Sequence, residues 1–323
     1  MKRVSFGFRI ANVMRFERPE IIRPPSEAGS YFLPLTSGCS NNSCGFCNYY
    51  GCKLKVRDLD EVKEEIDAMA LFVRHGVRVP NMPYIVYAVA DEWDGRRVFL
   101  QDGDALVYPY PNLKQSLEYL SLKFPELERV GSYATVQDIL RLSVEQLESL
   151  KTLKLGILYV GVESGDDEIL REIEKGVDSQ QIIEAGHKVK AAGIALSVTV
   201  ILGLGGIEKS REHALATAKI LTELDPEFAG ALTLTLVPGT PMYEKCRRGE
   251  FSLISPLHSL EELKTIIEKA AFSNCFFSSM HASNYLSVRG VLPRDKAKML
   301  AQLERVLSTH DASLLRPEFL RGL

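Results

Sequence analysis

Strand-length apolar runs alternate with helix-periodic segments along most of this chain, and that alternation narrows the fold more than any other feature. Apolar runs at residues 31–36, 97–101, 129–134, 157–162, 195–202 and 231–237 are each followed by a helix or a crossover. Residues 58–75 carry Leu59, Val62, Ile66, Met69 and Phe72 three or four positions apart, a single helix face that Gly76 would stop. Ser143 and Gln146 form a capping-box pair at the head of 143–153. Further helices are expected over 166–175, 179–192 and 206–224, the first two ending at Gly176 and Gly193. Residues 80–95, rich in Pro and aromatics, read as irregular. Strands alternating with helices imply right-handed βαβ units and a parallel sheet. Six units fall short of a closed barrel. Periodicity alone therefore leaves an incomplete barrel and an open doubly wound sheet both standing. Past Pro238 the pattern changes: 260–272 and 293–308 read as helices, joined by the segment 274–292.

With 323 residues, 46% of them hydrophobic and 25% charged, the chain can bury a sizeable core. A formal net charge of -3 argues against binding nucleic acid through bulk electrostatics. Residues 1–16 hold no continuous apolar stretch. The most apolar run, 194–204, is bounded by glycines and too short to span a bilayer. A cytoplasmic protein without membrane contact is the expectation.

Six cysteines are too sparse for a disulfide scaffold, but four of them, Cys39, Cys44, Cys47 and Cys52, crowd together. In Thr36-Ser-Gly-Cys39-Ser-Asn-Asn-Ser-Cys44-Gly-Phe-Cys47 three thiols follow directly on a strand. Soft sulfur donors so arranged favour zinc or an iron–sulfur cluster. A structural zinc site takes four ligands, commonly as two pairs, and here only Cys52 is near enough to be a fourth. A cubane held by three cysteines leaves one iron open to a ligand that is not protein, which suits catalysis. Cys246 and Cys275 stand far away and far apart, and read as inert buried cysteines.

The cysteine segment resembles the radical S-adenosylmethionine (SAM) superfamily, whose usual signature is CxxxCxxC with an aromatic before the last cysteine. Phe46 stands at the aromatic place. The first spacer is one residue longer than usual, which is similar to a CxxNxCxFC branch of mostly uncharacterised iron–sulfur oxidoreductases, with Asn42 at the Asn place. Arg23-Pro-Pro-Ser-Glu-Ala28 resembles the same branch. The resemblance implies an α/β fold, a partial (β/α)6 TIM-like barrel over 31–250. An N-terminal extension over 1–30 would precede it, and a C-terminal helical region over 251–323 would close it. It also implies a 4Fe–4S cluster on Cys39, Cys44 and Cys47, with SAM chelating the free iron beyond the carboxyl ends of the strands.

The same resemblance assigns cofactor contacts. Asp102-Gly103-Asp104 ends the second strand, where the superfamily often has a Gly-Gly-Glu-like motif; a glycine lets carbonyls approach an ammonium group and a carboxylate adds charge. By itself this tripeptide is also an ordinary turn. Glu163 and Ser164 at the fourth strand, with Lys175 beyond, are similar to the oxygen-independent coproporphyrinogen oxidases. There a polar residue at the Glu163 place contacts the cofactor and a basic residue at the Lys175 place meets its carboxylate. The plainer readings are a cap by Glu163 on the helix at Asp166, and a macrodipole partner in Lys175. Thr199 stands where relatives often carry a polar ribose contact. Only one of Ser132 and Tyr133 can face the barrel interior, and the alignment with the same relatives favours Tyr133. His187 and His213 lie in helical patterns and read as surface or packing residues. Ser279-Met-His281-Ala-Ser-Asn284-Tyr285 resembles a segment of the same branch, with Met280 in place of the expected Asn. That makes His281 and Tyr285 the candidate catalytic residues, against a purely structural loop.

The activity this implies is reductive cleavage of SAM to methionine and a 5′-deoxyadenosyl radical that takes hydrogen from an organic substrate of small or medium size. The electron would come from an external donor such as flavodoxin or ferredoxin. A non-catalytic electron carrier or redox sensor, with Cys52 as fourth ligand, is the alternative, and a structural zinc protein a third. About thirty residues precede the first strand, so no cobalamin-binding domain is expected there.

Overall fold

The computed structural model describes residues 16–47, 53–309 and 311–322. β1 (Tyr31–Pro34) and β2 (Thr36–Ser37) lead into the cysteine loop, and β3 (Lys55–Val56) leaves it, paired antiparallel with β2. α1 (Leu59–His75) forms as its spacing predicts. The Asp58 side chain accepts from the Asp60 N–H, Gly76 ends the helix at φ 67°, and Val62, Ile66 and Met69 are buried. Residues 80–95 depart from expectation, because they hold α2 (Tyr84–Asp91), with Val86, Tyr87, Val89 and Ala90 buried. A proline at a helix head gives up no intrahelical hydrogen bond, so Pro83 marks the start of this helix and not a loop.

β4 (Arg97–Gln101) has the expected bounds, but the helix after it, α3 (Tyr110–Lys123), escaped the reading; Pro111 in its first turn conceals it in the same way. β5 (Arg129–Ala134), α4 (Val136–Arg141) and α5 (Val144–Thr152) follow, the last with the Ser143–Gln146 capping box formed. β6 (Leu155–Glu163) leads to α6 (Asp167–Glu172), which ends before Lys175. Asp166, not Glu163, caps α6, accepting from the N–H groups of Glu168 and Ile169. α7 (Ser179–Ala191) and β7 (Ala195–Leu202) match expectation, while α8 (Ser210–Leu224) starts late, after a turn over 203–209.

β8 (Phe228–Thr233) lies upstream of the predicted run. Its Ala and Gly residues have little apolar signal, and the stronger run beyond it has already left the sheet. α9 (Pro241–Arg247) and α10 (Pro256–Lys269) come next. Residues 274–292 are not merely a joining segment, since they contribute β9 (Cys275–Ser278) and β10 (Arg289–Leu292) before α11 (Lys296–Thr309). β9 adds parallel to β8 and β10 antiparallel to β9, so among the described residues the sheet has eight strands in the order β1-β4-β5-β6-β7-β8-β9-β10. Four-residue strands in a polar context carry too short an alternation to read.

The sheet curls into a partial barrel with the helices outside. Along β7, Leu196, Val198, Val200 and Leu202 are buried against the helix layer, and half-buried Ser197, Thr199 and Ile201 face the concave side. Phe32, Phe99, Tyr133 and Tyr159 share that concave face, with ring centroids of the last three 5.1–6.1 Å apart in edge-on contacts. The segment before β1 closes the amino ends of the strands. Glu27 is fully buried there, accepting from Arg129, from the Tyr159 hydroxyl at 2.6 Å and from the Ser30 hydroxyl at 2.6 Å.

Candidate active site

The carboxyl ends of β1, β4, β5 and β6 converge under the cysteine loop. At its base, Arg57 directly after β3 is fully buried. Its guanidinium pairs with Glu65 of α1 at 2.7 Å and donates to the Pro34 carbonyl at 3.1 Å. Arg18 reaches the same carboxylate, which holds Glu65 below the ordinary carboxylate range against the cost of burial. Arg57 and Glu65 were missed in the sequence, where a basic residue after the loop and an acid inside a helix look like solvated charges.

The loop is pinned by its own side chains and backbone. Gly38 N–H donates to Asp102 Oδ2 at 3.0 Å, and the Ser40 hydroxyl to Asp104 Oδ2 at 2.8 Å. Asn41 Nδ2 donates to the Lys175 carbonyl at 2.6 Å and lies 3.3 Å from Cys44 Sγ. Gly45 N–H donates to the Ile173 carbonyl at 2.7 Å, and the Gly45 carbonyl accepts from Met242 N–H at 2.9 Å. Phe46 packs against the core from the same loop. Burial pushes the Cys39 thiol up to about 12 and the Cys44 thiol up to about 11. The three thiols feel one another's charge in sequence, Cys39 with Cys44 and Cys44 with Cys47, and the Lys175 ammonium works against burial at both Cys39 and Cys44.

Lys175 is the pivot of the site. Its Nζ donates to Glu163 Oε1 at 2.8 Å and both side chains are nearly buried; burial lowers the ammonium's pKa, but the carboxylate and the two cysteines outweigh it and raise the pKa overall. Glu163 sits at the end of β6 with φ 64°, in the left-handed region. The pair lies over Gly161, where a Cβ would fall 2.0 Å from Glu163 Oε1 and 3.1 Å from Lys175 Nζ. Neither of the plainer readings, helix cap or dipole partner, describes these two residues.

Asp102 is buried with Oδ1 unpartnered, and burial pushes its carboxyl up to about 6. Gly103 follows, half-buried. Asp104 is used up internally: Oδ1 accepts from Leu106 N–H and Oδ2 from Ser40 and Thr135, while burial and neighbouring Asp138 hold its carboxyl far above the usual range. Tyr133 is on the concave face and Ser132 is fully buried on the other. Thr199 is on the concave face one strand from Gly161, its register partner. Ser164 turns outward to His213 of α8, with its hydroxyl 2.9 Å from Nδ1.

His281 and Tyr285 sit on the loop between β9 and β10. His281 Nδ1 is 2.9 Å from the Ser283 hydroxyl, while Ser283 and Asn284 tie their loop to Thr233 at the end of β8. Tyr285 donates to Glu318 at 2.8 Å and carries the Arg321 guanidinium over its ring at 4.2 Å. A cavity of about 180 Å³ opens beside it at the carboxyl ends of β7 and β8, lined by Leu202, Thr233, Leu234, Ile254 and Arg321. His187 is exposed, with Nε2 3.0 Å from the Glu223 carbonyl oxygen. Cys275 is buried on β9, its thiol pushed up to about 12, and Cys52 lies outside the described residues.

Soft thiol donors on one loop, a buried carboxylate oxygen with no partner, and a cation–carboxylate pair over a glycine fit a thiolate-held cluster with a charged organic ligand. No three His, Cys, Asp or Glu side chains among the described residues are grouped to hold a single metal ion. A cubane differs, since each cysteine takes a separate iron.

Fold and site together define a partial (β/α) barrel protein with a three-cysteine loop at the carboxyl ends of its strands. The Radical SAM superfamily model matches residues 33–218, more than half of the chain, and the chain belongs to that superfamily. The superfamily's cofactors are a 4Fe–4S cluster and SAM. The chain is 23% identical over 283 residues to a putative methylthiotransferase of Methanocaldococcus jannaschii, covering 84% of this chain and 57% of that protein. It is 22% identical over 178 residues to a heme chaperone of Bacillus subtilis, covering 54% and 46%. Among solved structures it is similar in fold to a radical SAM methyltransferase of Kitasatospora setae with cobalamin and a [4Fe–4S] cluster bound. The TM-score there is 0.51 and the identity 17%, over 72% of this chain and 44% of that one. The chain spans about half the length, or less, of the curated relatives it matches.

Proposed function

We propose that the chain is a radical SAM enzyme, with a 4Fe–4S cluster on Cys39, Cys44 and Cys47 and SAM held beside it. The observation that carries this reading is the Glu163–Lys175 pair, placed over Gly161 with its ammonium close enough to feel the charge of Cys44 and Cys39. When loaded, the cluster supplies one electron for reductive cleavage of SAM to methionine and a 5′-deoxyadenosyl radical, which takes a hydrogen atom from an organic substrate.

The chain's own groups bind and orient. Asp102, with its unpartnered Oδ1, is the acceptor for the ammonium of SAM; Lys175 meets the carboxylate, and Thr199 the ribose. Gly103 gives backbone access, Phe46 backs the loop, and Tyr133 with Tyr159 walls the concave side. Asp104 and Ser164 support this site from behind, the first by holding Ser40, the second through His213. The Glu27 plug excludes water from the amino ends of the strands. Tyr285, beside the mouth cavity, is better placed to touch substrate than His281, whose Nδ1 is occupied by Ser283.

The substrate is read as an organic molecule of small or medium size, not a nucleic acid, which the net charge of -3 supports. A low-potential flavodoxin or ferredoxin in the cytoplasm is the electron donor, so the chain acts as an oxidoreductase. No helix among the described residues is long and apolar enough to cross a membrane. Iron and sulfide analysis after anaerobic reconstitution tests the ligand set. Cys39→Ala, Cys44→Ala and Cys47→Ala lose the cluster while Cys52→Ala keeps it; loss in Cys52→Ala would instead favour a four-cysteine electron carrier.

A further inference from the structure

His213 belongs to α8, outside the barrel, yet it is fully buried between the ends of two strands. Its Nε2 is 3.0 Å from the Ile201 carbonyl oxygen of β7, and its Nδ1 is 2.9 Å from the hydroxyl of Ser164, just past β6. A carbonyl only accepts, so Nε2 carries the proton. Ser164 Oγ already accepts from the Asp166 backbone N–H at 3.0 Å, which leaves the hydroxyl proton for Nδ1. With that tautomer every group from Asp166 N–H to Ile201 C=O is satisfied. A charged imidazole would strand the buried Ser164 proton without an acceptor. Burial also holds the imidazole pKa down to about 4.

The corner so held carries Glu163. Its φ of 64° is a conformation that a glutamate keeps only where neighbours impose it. α8 grips the same corner twice more. Gly165 N–H donates to Thr217 Oγ1 at 3.2 Å, and a Cβ on Gly165 would fall 2.1 Å from the Ala216 carbonyl oxygen. Glu262 of α10 stands behind the ring, 3.9 Å from Nε2, and accepts from Gly203 N–H and the Ser210 hydroxyl.

We propose that His213 is a positioning residue: as a neutral imidazole protonated on Nε2, it locks the turn over 163–166 so that Glu163 meets Lys175 at the cofactor site. This role rests on the reading of that site as the SAM site.

Two measurements decide it. Long-range ¹H–¹⁵N spectra of the full, histidine-labelled chain at neutral pH should show Nδ1 unprotonated and Nε2 protonated. A charged ring or the Nδ1–H tautomer overturns the proposal whether or not SAM binds. Equilibrium binding of SAM to the cluster-loaded chain is the second. His213→Asn keeps an acceptor near Ser164, whereas His213→Gln keeps only the donor to Ile201. The Kd for SAM should rise about tenfold in His213→Gln and in Ser164→Ala, and stay within about threefold in His213→Asn, with similar unfolding midpoints for the two His213 variants. Equal affinity in all variants, or losses that track the unfolding midpoint, overturns the role. Wild-type chain that binds no SAM refutes the reading of the site and the role with it, a failure that the spectra do not share.

Discussion

At position 161 a single methyl group decides whether Glu163 and Lys175 can meet, because both would have to move off a Cβ placed there. Gly161→Ala should therefore weaken SAM binding by about tenfold or more, while the thermal unfolding midpoint moves little, since the clash falls on two side chains at the barrel mouth. Titration calorimetry beside a thermal melt checks both. Asp102 gives a pH signature. Its carboxyl titrates near 6 because it is buried, so it is largely neutral below that pH and charged above. A cationic ligand favours the carboxylate, so SAM binding should strengthen as pH rises from about 5 to 7 and release a proton near the lower end. Asp102→Asn should flatten that profile. The contribution of this carboxyl to folding runs the other way. With its folded pKa raised above the usual value of about 4, stability falls as pH climbs from there through about 6. At this scale the cysteine spacing marked the loop, and the likeness to the coproporphyrinogen oxidases marked Glu163 and Lys175, whose side chains the fold brings together. The left-handed backbone of Glu163 and the role of Gly161 were not legible, since both depend on a bulge between β6 and β7 that no local pattern marks.

Two elements hold the site from outside it. The β2–β3 pair closes the cysteine loop, and Arg57 anchors that pair to α1 through Glu65. Arg57→Ala removes one partner of a fully buried ion pair and should destabilise the chain by about 3 kcal/mol in denaturant titration, with reduced cluster content after reconstitution. α10 holds the turn after β7 through Glu262, whose carboxyl burial pushes up to about 7. A raised acid pKa means the folded state binds the proton more tightly, so this group's contribution is lost as pH rises from the unfolded value through about 7. His213 acts oppositely, its lowered pKa adding stability as pH rises from about 4 toward the usual histidine value. Glu262→Gln can still accept from Gly203 N–H and, with the second bond reversed, donate its amide N–H to the Ser210 hydroxyl, all without the charge, so its unfolding midpoint should overtake the parent's as pH goes from 6 to 8. A difference that stays flat with pH contradicts the burial argument. α1, α5, α7, β4, β5 and β7 were readable because periodicity, caps and stops agreed. α2 and α3 were hidden by prolines at their heads, and β8, β9 and β10 by shortness or by small residues. Arg57, Glu262 and His213 gave no signal at all, because burial of a polar side chain is decided by tertiary packing.

In the whole molecule the match to the superfamily covers residues 33–218, and the chain beyond it supplies β9, β10, Tyr285 and the Arg321 contacts that line the mouth cavity. The part matched by the superfamily model thus holds the three cysteines, Asp102, Glu163, Lys175 and Thr199, while Tyr285 and Arg321 beyond it line the mouth cavity. Everything above converges on reductive SAM cleavage at the three-cysteine cluster. Its most direct test is the cluster-loaded chain, reduced anaerobically with dithionite and supplied with SAM, with 5′-deoxyadenosine and methionine quantified by chromatography. Both products should form in equal amounts, be absent in Cys39→Ala, Cys44→Ala and Cys47→Ala, and be retained in Cys52→Ala. No 5′-deoxyadenosine from fully loaded, fully reduced protein would contradict it.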